Sequence, residues 1–316
     1  MTYTLDPERT DASLPWAALV DEIESLLQSP TVQVPERIVM PTAHGAVLFV
    51  MPATDGQVAM TKLITLTPAN AAGALPAIQG DVTVFDVATG VRQLILDGPA
   101  VTARRTAAVS ALAARLLAPR PEGPMLIVGA GVQARVHLQA FAAVLGVREF
   151  FIASRSRTSA QALVEHARSL GLRADEARDA NAALALCPLV ATCTPAHDIV
   201  LRALPRADAF IAAVGAFTPQ MAELSPEFCG HIAAHGRIVV DTRDAEREAG
   251  DLLQAGIPVA PLPSLQDVVR TGLAHTAGPV LFKSCGWAGW DLAAARLALR
   301  EQGRSSAQAR GSVTPC

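Results

Sequence analysis

The sequence predicts an α/β protein, a Rossmann-type doubly wound parallel sheet joined to a mixed α+β domain. Three observations carry this. Residues 125–134, Met-Leu-Ile-Val-Gly-Ala-Gly-Val-Gln-Ala, lead from a short apolar run through a glycine turn into a helix-compatible segment. Further apolar runs at 150–153, 189–193, 209–214 and 237–241 are spaced by helix-length segments, which is the alternation of a parallel sheet. The N-terminal third instead shows strand-length alternation at 46–52, 59–65 and 82–87, the pattern of a second sheet.

Composition bounds the class. A length of 316 residues suggests two domains. With 51% hydrophobic and 17% charged residues the chain can bury a sizeable core and is not a disordered type. A net charge of −3 offers no reason to expect nucleic acid or an anionic membrane as partner. The five cysteines (187, 193, 229, 285 and 316) are odd in number and form no C-x-x-C pair, which suits a reducing compartment. No apolar run reaches membrane-spanning length, and residues 1–11 lack a signal-peptide core. A soluble cytoplasmic protein is the expectation.

In chain order, residues 14–27 read as an amphipathic helix, with Ser13 before Pro15 as its cap. A turn-rich stretch at 29–41 holds Arg37. Lys62 falls inside the second strand pattern, where it either faces solvent or is buried for a purpose. Solvent is the expectation, since lysine is seldom fully buried unless paired. After a turn at 86–90 and a strand at 92–96, the run Thr102-Ala-Arg-Arg-Thr-Ala-Ala opens a helix over about 106–118, so Arg105 and Thr106 are expected in its first turn. A helix N-terminus disfavours a cation. An arginine there wants an anion, either an internal acid or a substrate carboxylate. Pro119, Pro121 and Pro124 mark the expected domain boundary, giving 1–119 as a substrate-binding and dimerisation domain, 120–283 as the dinucleotide domain, and 284–316 as a helix that rejoins the first domain. That segment is helical over 290–299, with a polar tail from residue 302.

The glycine turn has a chemical rationale. Gly129 permits the tight turn, Gly131 lets backbone approach a pyrophosphate, and Ala134 is small enough for helix–strand packing. Ala130, Val132 and Gln133 complete a loop whose N–H groups and helix dipole suit an anion. At the end of the next strand an acid usually binds the adenosine ribose. Here the residues are Ser154, Arg155, Ser156 and Arg157. Two arginines and two hydroxyls suit a 2′-phosphate, so NADP(H) is favoured over NAD(H), the alternative being solvated loop charges. Thr192 and Thr194, after the fourth strand, either touch the nucleotide or make a turn beside Pro195. No metal site is expected: His231 and His235 are four apart, with no third ligand evident. His137 reads as a packed histidine and Cys193 as a small core residue.

Taken together, Arg37, Met51-Pro52, Lys62 with Pro68 and Asn70, Thr102-Ala-Arg-Arg105-Thr-Ala-Ala, the 129–134 turn, Ala213-Val-Gly215 with Pro219 and Glu223-Leu224, Val239-Val-Asp241, and Phe282-Lys-Ser284-Cys-Gly286 with Asp291 resemble the ornithine cyclodeaminase/μ-crystallin family over nearly the whole chain. The family binds NAD(H) or NADP(H), forms homodimers through its N-terminal domain, and acts on amino acids or their imines. The resemblance implies that Arg37, Lys62 and Arg105, with Thr106, line the substrate site. It also implies that Val214, Gly215 and Ser284 join the cofactor set.

One position departs from the family pattern. Cyclodeaminases carry an aspartate two residues after the glycine of Ala-Val-Gly, where this chain has Phe217. Phenylalanine neither accepts a proton nor holds an ammonium, and loss of a general acid/base typically costs about 10²–10⁴ in rate. Cyclodeamination of L-ornithine is therefore disfavoured, and Phe217 offers an apolar wall to the substrate. The expected activity is hydride transfer from NADPH to a small, cyclic 2-imino acid. The nicotinamide is expected at the crevice beyond the strand ends, facing the first domain, with Arg105 and Arg37 on the carboxylate and Lys62 as proton donor. An alanine- or opine-type dehydrogenase, an ornithine cyclodeaminase and a non-catalytic NADP-linked carrier are the alternatives.

Overall fold

The computed structural model describes residues 2–72, 75–195, 198–272 and 278–311. It forms two units, Met1–Thr106 with Trp287–Cys316, and Ala107–Gly286.

The first unit holds β1 (Tyr3–Thr4), α1 (Pro7–Ala12), α2 (Trp16–Gln28), β2 (Ile38–Pro41), β3 (Val47–Thr54), β4 (Val58–Leu66), β5 (Ile78–Asp86) and β6 (Arg92–Asp97). These strands make a six-stranded sheet in the order β1-β6-β5-β4-β3-β2, antiparallel except for β1 on β6. On β4 the period of two puts Met60, Lys62 and Ile64 on the buried face and turns Leu63 outward. The row Ile38–Val50–Leu63 runs across β2, β3 and β4 on the opposite face from the row Met51–Lys62–Val82.

The helix α3 (Gly98–Leu117) carries the chain from one unit into the other. It starts eight residues before the position expected from sequence. Asp97 accepts from the N–H of Ala100 at 2.7 Å and caps it, and Pro99 occupies an opening position that needs no N–H. Gly98 is required, since a Cβ there would lie 2.6 Å from the carbonyl oxygen of Gly80. Because α3 is continuous, the division falls within it at residues 106 and 107, ahead of the prolines at 119, 121 and 124 where sequence sets it.

The second unit follows: β7 (Met125–Val128), α4 (Val132–Leu145), β8 (Glu149–Ala153), α5 (Arg157–Ser169), β9 (Arg173–Glu176), α6 (Ala180–Ala183), β10 (Leu189–Thr192), β11 (Phe210–Ala213), α7 (Pro226–His235), β12 (Arg237–Val240), α8 (Gly250–Gln254), α9 (Leu265–Thr271) and β13 (Val280–Lys283). All seven strands are parallel, in the order β12-β13-β11-β10-β7-β8-β9. The strands β7, β10, β11 and β13 are buried along their whole length, as strands covered on both faces must be. The sheet therefore has two more strands than sequence predicts. β9 is short, with three charged residues among its four, and β13 inserts between β11 and β12. The order of connection reverses between β7 and β10, and a sheet of this kind binds ligand outside the strand ends at such a point.

The last helix, α10 (Ala288–Gly311), returns to the first unit and packs on α2, β3 and β4. Arg296 fastens it to Glu22 (2.6 Å) and Asp55 (3.2 Å), and Arg300 also reaches Glu22. The polar tail expected from residue 302 continues as helix to Gly311, and residues 312–316 lie outside those described. No helix among the described residues is long and apolar enough to cross a membrane.

Candidate active site

In the first unit the chemistry gathers around Lys62. The lysine is fully buried, which corrects the expectation of a solvent-facing side chain. It is paired, and this is why it can be buried: Nζ donates to Oδ1 of Asp291 at 3.0 Å and lies 2.8 Å from Oδ2. Asp291 sits in the first turn of α10 and is itself 0% exposed. Arg105 joins from α3, with Nε 3.2 Å from Asp291 Oδ1. One carboxylate thus faces two cations. Burial lowers the Lys62 pKa from 10.5 to about 8; Asp291 opposes the fall, while the positive charges of Arg105 and Arg37 add to it.

Arg105 lies two turns into α3, not in its first turn, so the helix dipole does not explain it. Its neighbour Arg104 points away: Nε donates to the Leu14 carbonyl, Nη1 reaches Asp11, and the guanidinium stacks 3.9 Å from the Trp16 ring. Successive helical residues differ by about 100°, so one arginine holds the fold together and the other faces the buried lysine. The terminal nitrogens of Arg105 take no protein partner among the described residues. Arg37 is half-buried and lies 5.9 Å above the Phe49 ring. The hydroxyl of Thr106 donates back to the Thr102 carbonyl at 2.8 Å.

In the second unit the glycine turn is built as expected. Gly129 has φ +120°, and a Cβ there would lie 2.5 Å from the Cys193 carbonyl oxygen. Gly131 is different. A Cβ there would meet nothing, so the fold itself does not require glycine at that position. It is the residue before α4, and no side chain caps that helix. Val132 is 69% exposed, and the buried Oε1 of Gln133 has no hydrogen-bond partner. Open space, an uncapped helix start and an orphaned polar atom fit an anionic group brought from outside the chain.

At the end of β8, Ser154 accepts from the Ser156 N–H, and Ser156 caps α5 by accepting from the Ser159 N–H. Arg157 pairs with Glu176 at 3.3 Å, whereas Arg155 is exposed and makes no ion pair among the described residues. Three of the expected cofactor residues also serve the fold. The hydroxyls of Thr192 and Thr194 donate to Glu223 at 2.7 and 2.8 Å, and the hydroxyl of Ser284 donates to Asp241 at 3.0 Å. Gly215 also donates its N–H to Glu223, at 2.7 Å, and follows Val214, which extends β11 by donating its N–H to the Thr192 carbonyl. Phe217 is half-buried and packs on the core of the second unit. The rings of His231 and His235 stack 4.5 Å apart, and the described residues hold no cluster of metal-ligating side chains.

Sequence reasoning gave no role to Asp291, Glu223 and Asp241, which the structure buries among these charged and polar groups. Asp291 carried a signal: it is the lone acid in the apolar helical run Ala-Gly-Trp-Asp-Leu-Ala-Ala-Ala. Lys62 carried one too, because the face of β4 opposite it reads Thr61, Leu63, Thr65 and is no better suited to a core.

The sequence model of the ornithine cyclodeaminase/mu-crystallin family matches residues 9–306. The chain is 37% identical over 266 residues to Delta(1)-pyrroline-2-carboxylate reductase 2 of Burkholderia ambifaria, covering 84% of this chain and 83% of that one. It is 38% identical over 264 residues to a Delta(1)-pyrroline-2-carboxylate/Delta(1)-piperideine-2-carboxylate reductase of Azospirillum brasilense, with coverage of 84% and 83%. Its fold matches Thermococcus litoralis Delta(1)-pyrroline-2-carboxylate reductase, solved in complex with NADH and L-proline, with a TM-score of 0.88 at 23% identity over 96% of this chain and 98% of that one.

Proposed function

The chain belongs to the ornithine cyclodeaminase/mu-crystallin family, and from that premise we propose that it is an NAD(P)H-dependent reductase of small cyclic 2-imino acids, with Δ1-pyrroline-2-carboxylate as the model substrate. The observation that carries this is the buried Lys62, held by Asp291 beside an Arg105 whose terminal nitrogens are uncommitted. The nicotinamide cofactor, when bound, supplies the hydride, and Gly129, Ala130, Gly131, Val132 and Gln133 would hold its pyrophosphate.

The residues of the first unit do the rest. Arg105 and Arg37 hold the substrate carboxylate, for which a guanidinium fork is suited. Lys62 Nζ donates a proton to the imine nitrogen as the imine carbon receives hydride, giving the amino acid. A donor with a pKa of about 8 is well matched to work near neutral pH. Asp291 keeps the ammonium charged and aimed. Phe217 supplies no acid for ornithine deamination, which favours imine reduction within the family.

NADP(H) is the proposed nucleotide. The unpaired Arg155 supports it. So do Ser154 and Ser156, whose oxygens accept backbone N–H groups and whose hydroxyl protons stay available to a 2′-phosphate. The partner is proposed to be a second copy of this chain. Ile38, Val39 and Met40 on the edge strand β2 are 58, 49 and 48% exposed, and Leu63 continues the apolar row. An uncovered apolar edge strand is a liability that a dimer would remove.

The test is oxidation of NADPH and of NADH by the purified protein with Δ1-pyrroline-2-carboxylate and Δ1-piperideine-2-carboxylate, beside ammonia release from L-ornithine with NAD⁺. Turnover of an imine that collapses in Lys62→Ala supports the proposal. Ammonia from ornithine without imine turnover overturns it.

A further inference from the structure

Among the described residues of the second unit, the buried charged side chains are Glu223, Asp241, Asp251 and Lys283. Three carboxylates against one ammonium leave a net charge of −2. They cluster on one half of the sheet. Lys283 ends β13 and meets Asp251 of α8 at 2.7 Å, with both side chains 0% exposed. Asp251 Oδ1 accepts from the N–H groups of Glu223 and Leu224 at 2.6 and 2.9 Å. Glu223 in turn ties together the chain ends leaving β10 and β11. Its Oε1 accepts from the N–H and hydroxyl of Thr194, and its Oε2 from the Thr192 hydroxyl and the Gly215 N–H. Asp241, just past β12, accepts from Ser284 and from the N–H groups of Thr242, Cys285 and Gly286.

Both oxygens of Glu223 and of Asp241 accept hydrogen bonds, the arrangement that favours the carboxylate form. Burial pushes both carboxyls up, and these donors oppose the rise. A buried net charge of this kind is screened far less than a surface one.

A dinucleotide fold is two mononucleotide-binding halves. The glycine turn belongs to the half formed by β7, β8 and β9, so the nicotinamide nucleotide falls to the half formed by β10, β11, β13 and β12, beyond the strand ends that Glu223 joins. A bound nicotinamide cofactor would supply the hydride: both electrons of its C4–H bond would go with the hydrogen to the imine carbon, a proton would be taken up at the imine nitrogen, and the neutral dihydro ring would become positively charged.

We propose that this buried anionic network, with Glu223 as its principal member, binds the oxidised cofactor in preference to the reduced one and so favours the departure of hydride. Glu223 is a positioning and electrostatic residue and not a catalytic one. The inference rests on the cofactor use proposed above.

The test is calorimetric titration of the full-length protein with NADP⁺ and, separately, with NADPH. The wild type is expected to bind NADP⁺ no more weakly than NADPH. In Glu223→Gln the ratio of the NADP⁺ Kd to the NADPH Kd should rise roughly tenfold, the scale for one charge at an effective dielectric near 20 over about a nanometre. Asp251→Asn should move the ratio in the same direction. Thr192→Ser, which keeps both the hydroxyl donor and the charge, should leave it unchanged. An unchanged ratio in either folded charge variant overturns the proposal. So does a wild-type ratio above about ten, whether or not a variant folds. Failure of the wild type to bind either nucleotide would instead sink the cofactor assignment itself, a separate result.

Discussion

Lys62 and Asp291 stand 229 residues apart in sequence and 3.0 Å apart in the fold, both buried. The strand β4 supplies the cation and the C-terminal helix α10 supplies the anion, so the pair exists only once α10 has packed back on the six-stranded sheet. Arg105 shares the same carboxylate. A site with two cations on one acid has a spare positive charge, and this suits a substrate that arrives with a carboxylate.

The first prediction separates the partners of this pair. Lys62→Ala should cut kcat/KM for imine reduction by about 10²–10⁴ and leave the NADPH Kd unchanged, because the glycine turn proposed to hold the phosphates belongs to the other unit. Asp291→Ala leaves Lys62 and Arg105 without their acid and should cost about 3–5 kcal/mol in urea unfolding. Equal stability loss in both variants would contradict the assignment of Lys62 to chemistry.

The second concerns pH. Lys62 must carry a proton to donate one, so kcat/KM should fall as pH rises through about 8. Its folded pKa lies below the unfolded value of 10.5. Between those two values the unfolded chain binds a proton that the folded chain has released, so this group's contribution to stability rises with pH across that window. In Lys62→Met both effects should vanish from the pH profiles of activity and of urea midpoint.

Acid stability provides a third. His137 is fully buried, with Nδ1 donating to the Gln133 carbonyl at 2.7 Å and Nε2 accepting from the Ser110 hydroxyl at 3.0 Å. Burial lowers its pKa from 6.5 to about 4. As pH drops from about 6.5 to about 4 the unfolded chain takes up a proton that the native site refuses, and stability declines. His137→Gln should be less stable than wild type at pH 7 and should lose less between pH 7 and pH 5. Parallel stability curves for the two proteins would show that His137 titrates normally in the fold.

The two glycines of the turn make a fourth. At Gly129 the positive φ and the nearby Cys193 carbonyl leave no room for a side chain. Gly129→Ala should cost about 1–3 kcal/mol. Gly131→Ala meets no atom of the protein and should cost less than about 1 kcal/mol, the difference between glycine and alanine before a helix. Yet Gly131→Ala should weaken NADPH binding by tenfold or more in calorimetry. Intact affinity in that variant would mean that the cofactor does not approach the turn.

Most of the second unit was legible in the sequence. The strand–glycine–helix order at 125–134 is local, and the periodicity that marks β7, α4, β8, β10, β11 and β12 needs only neighbouring residues to be read. The strand β13 was not, because its place between β11 and β12 is a fact of pairing. The start of α3 lies at Gly98, with Asp97 as its cap and Pro99 in its first turn, eight residues ahead of the position read from the run at 102–108.

The sequence by itself determined the fold class, the glycine turn and the residue types gathered around Lys62, since these follow from local pattern and side-chain chemistry. The tertiary structure alone decided which groups are free to act. Burial and partnership are properties of neighbours far apart in the chain. Packing brought Asp291 to Lys62, turned the hydroxyl protons of Thr192, Thr194 and Ser284 onto Glu223 and Asp241, and left Arg105 with donors to spare. A buried charge must find its counter-charge or give up its proton, and only the folded chain sets which of these happens.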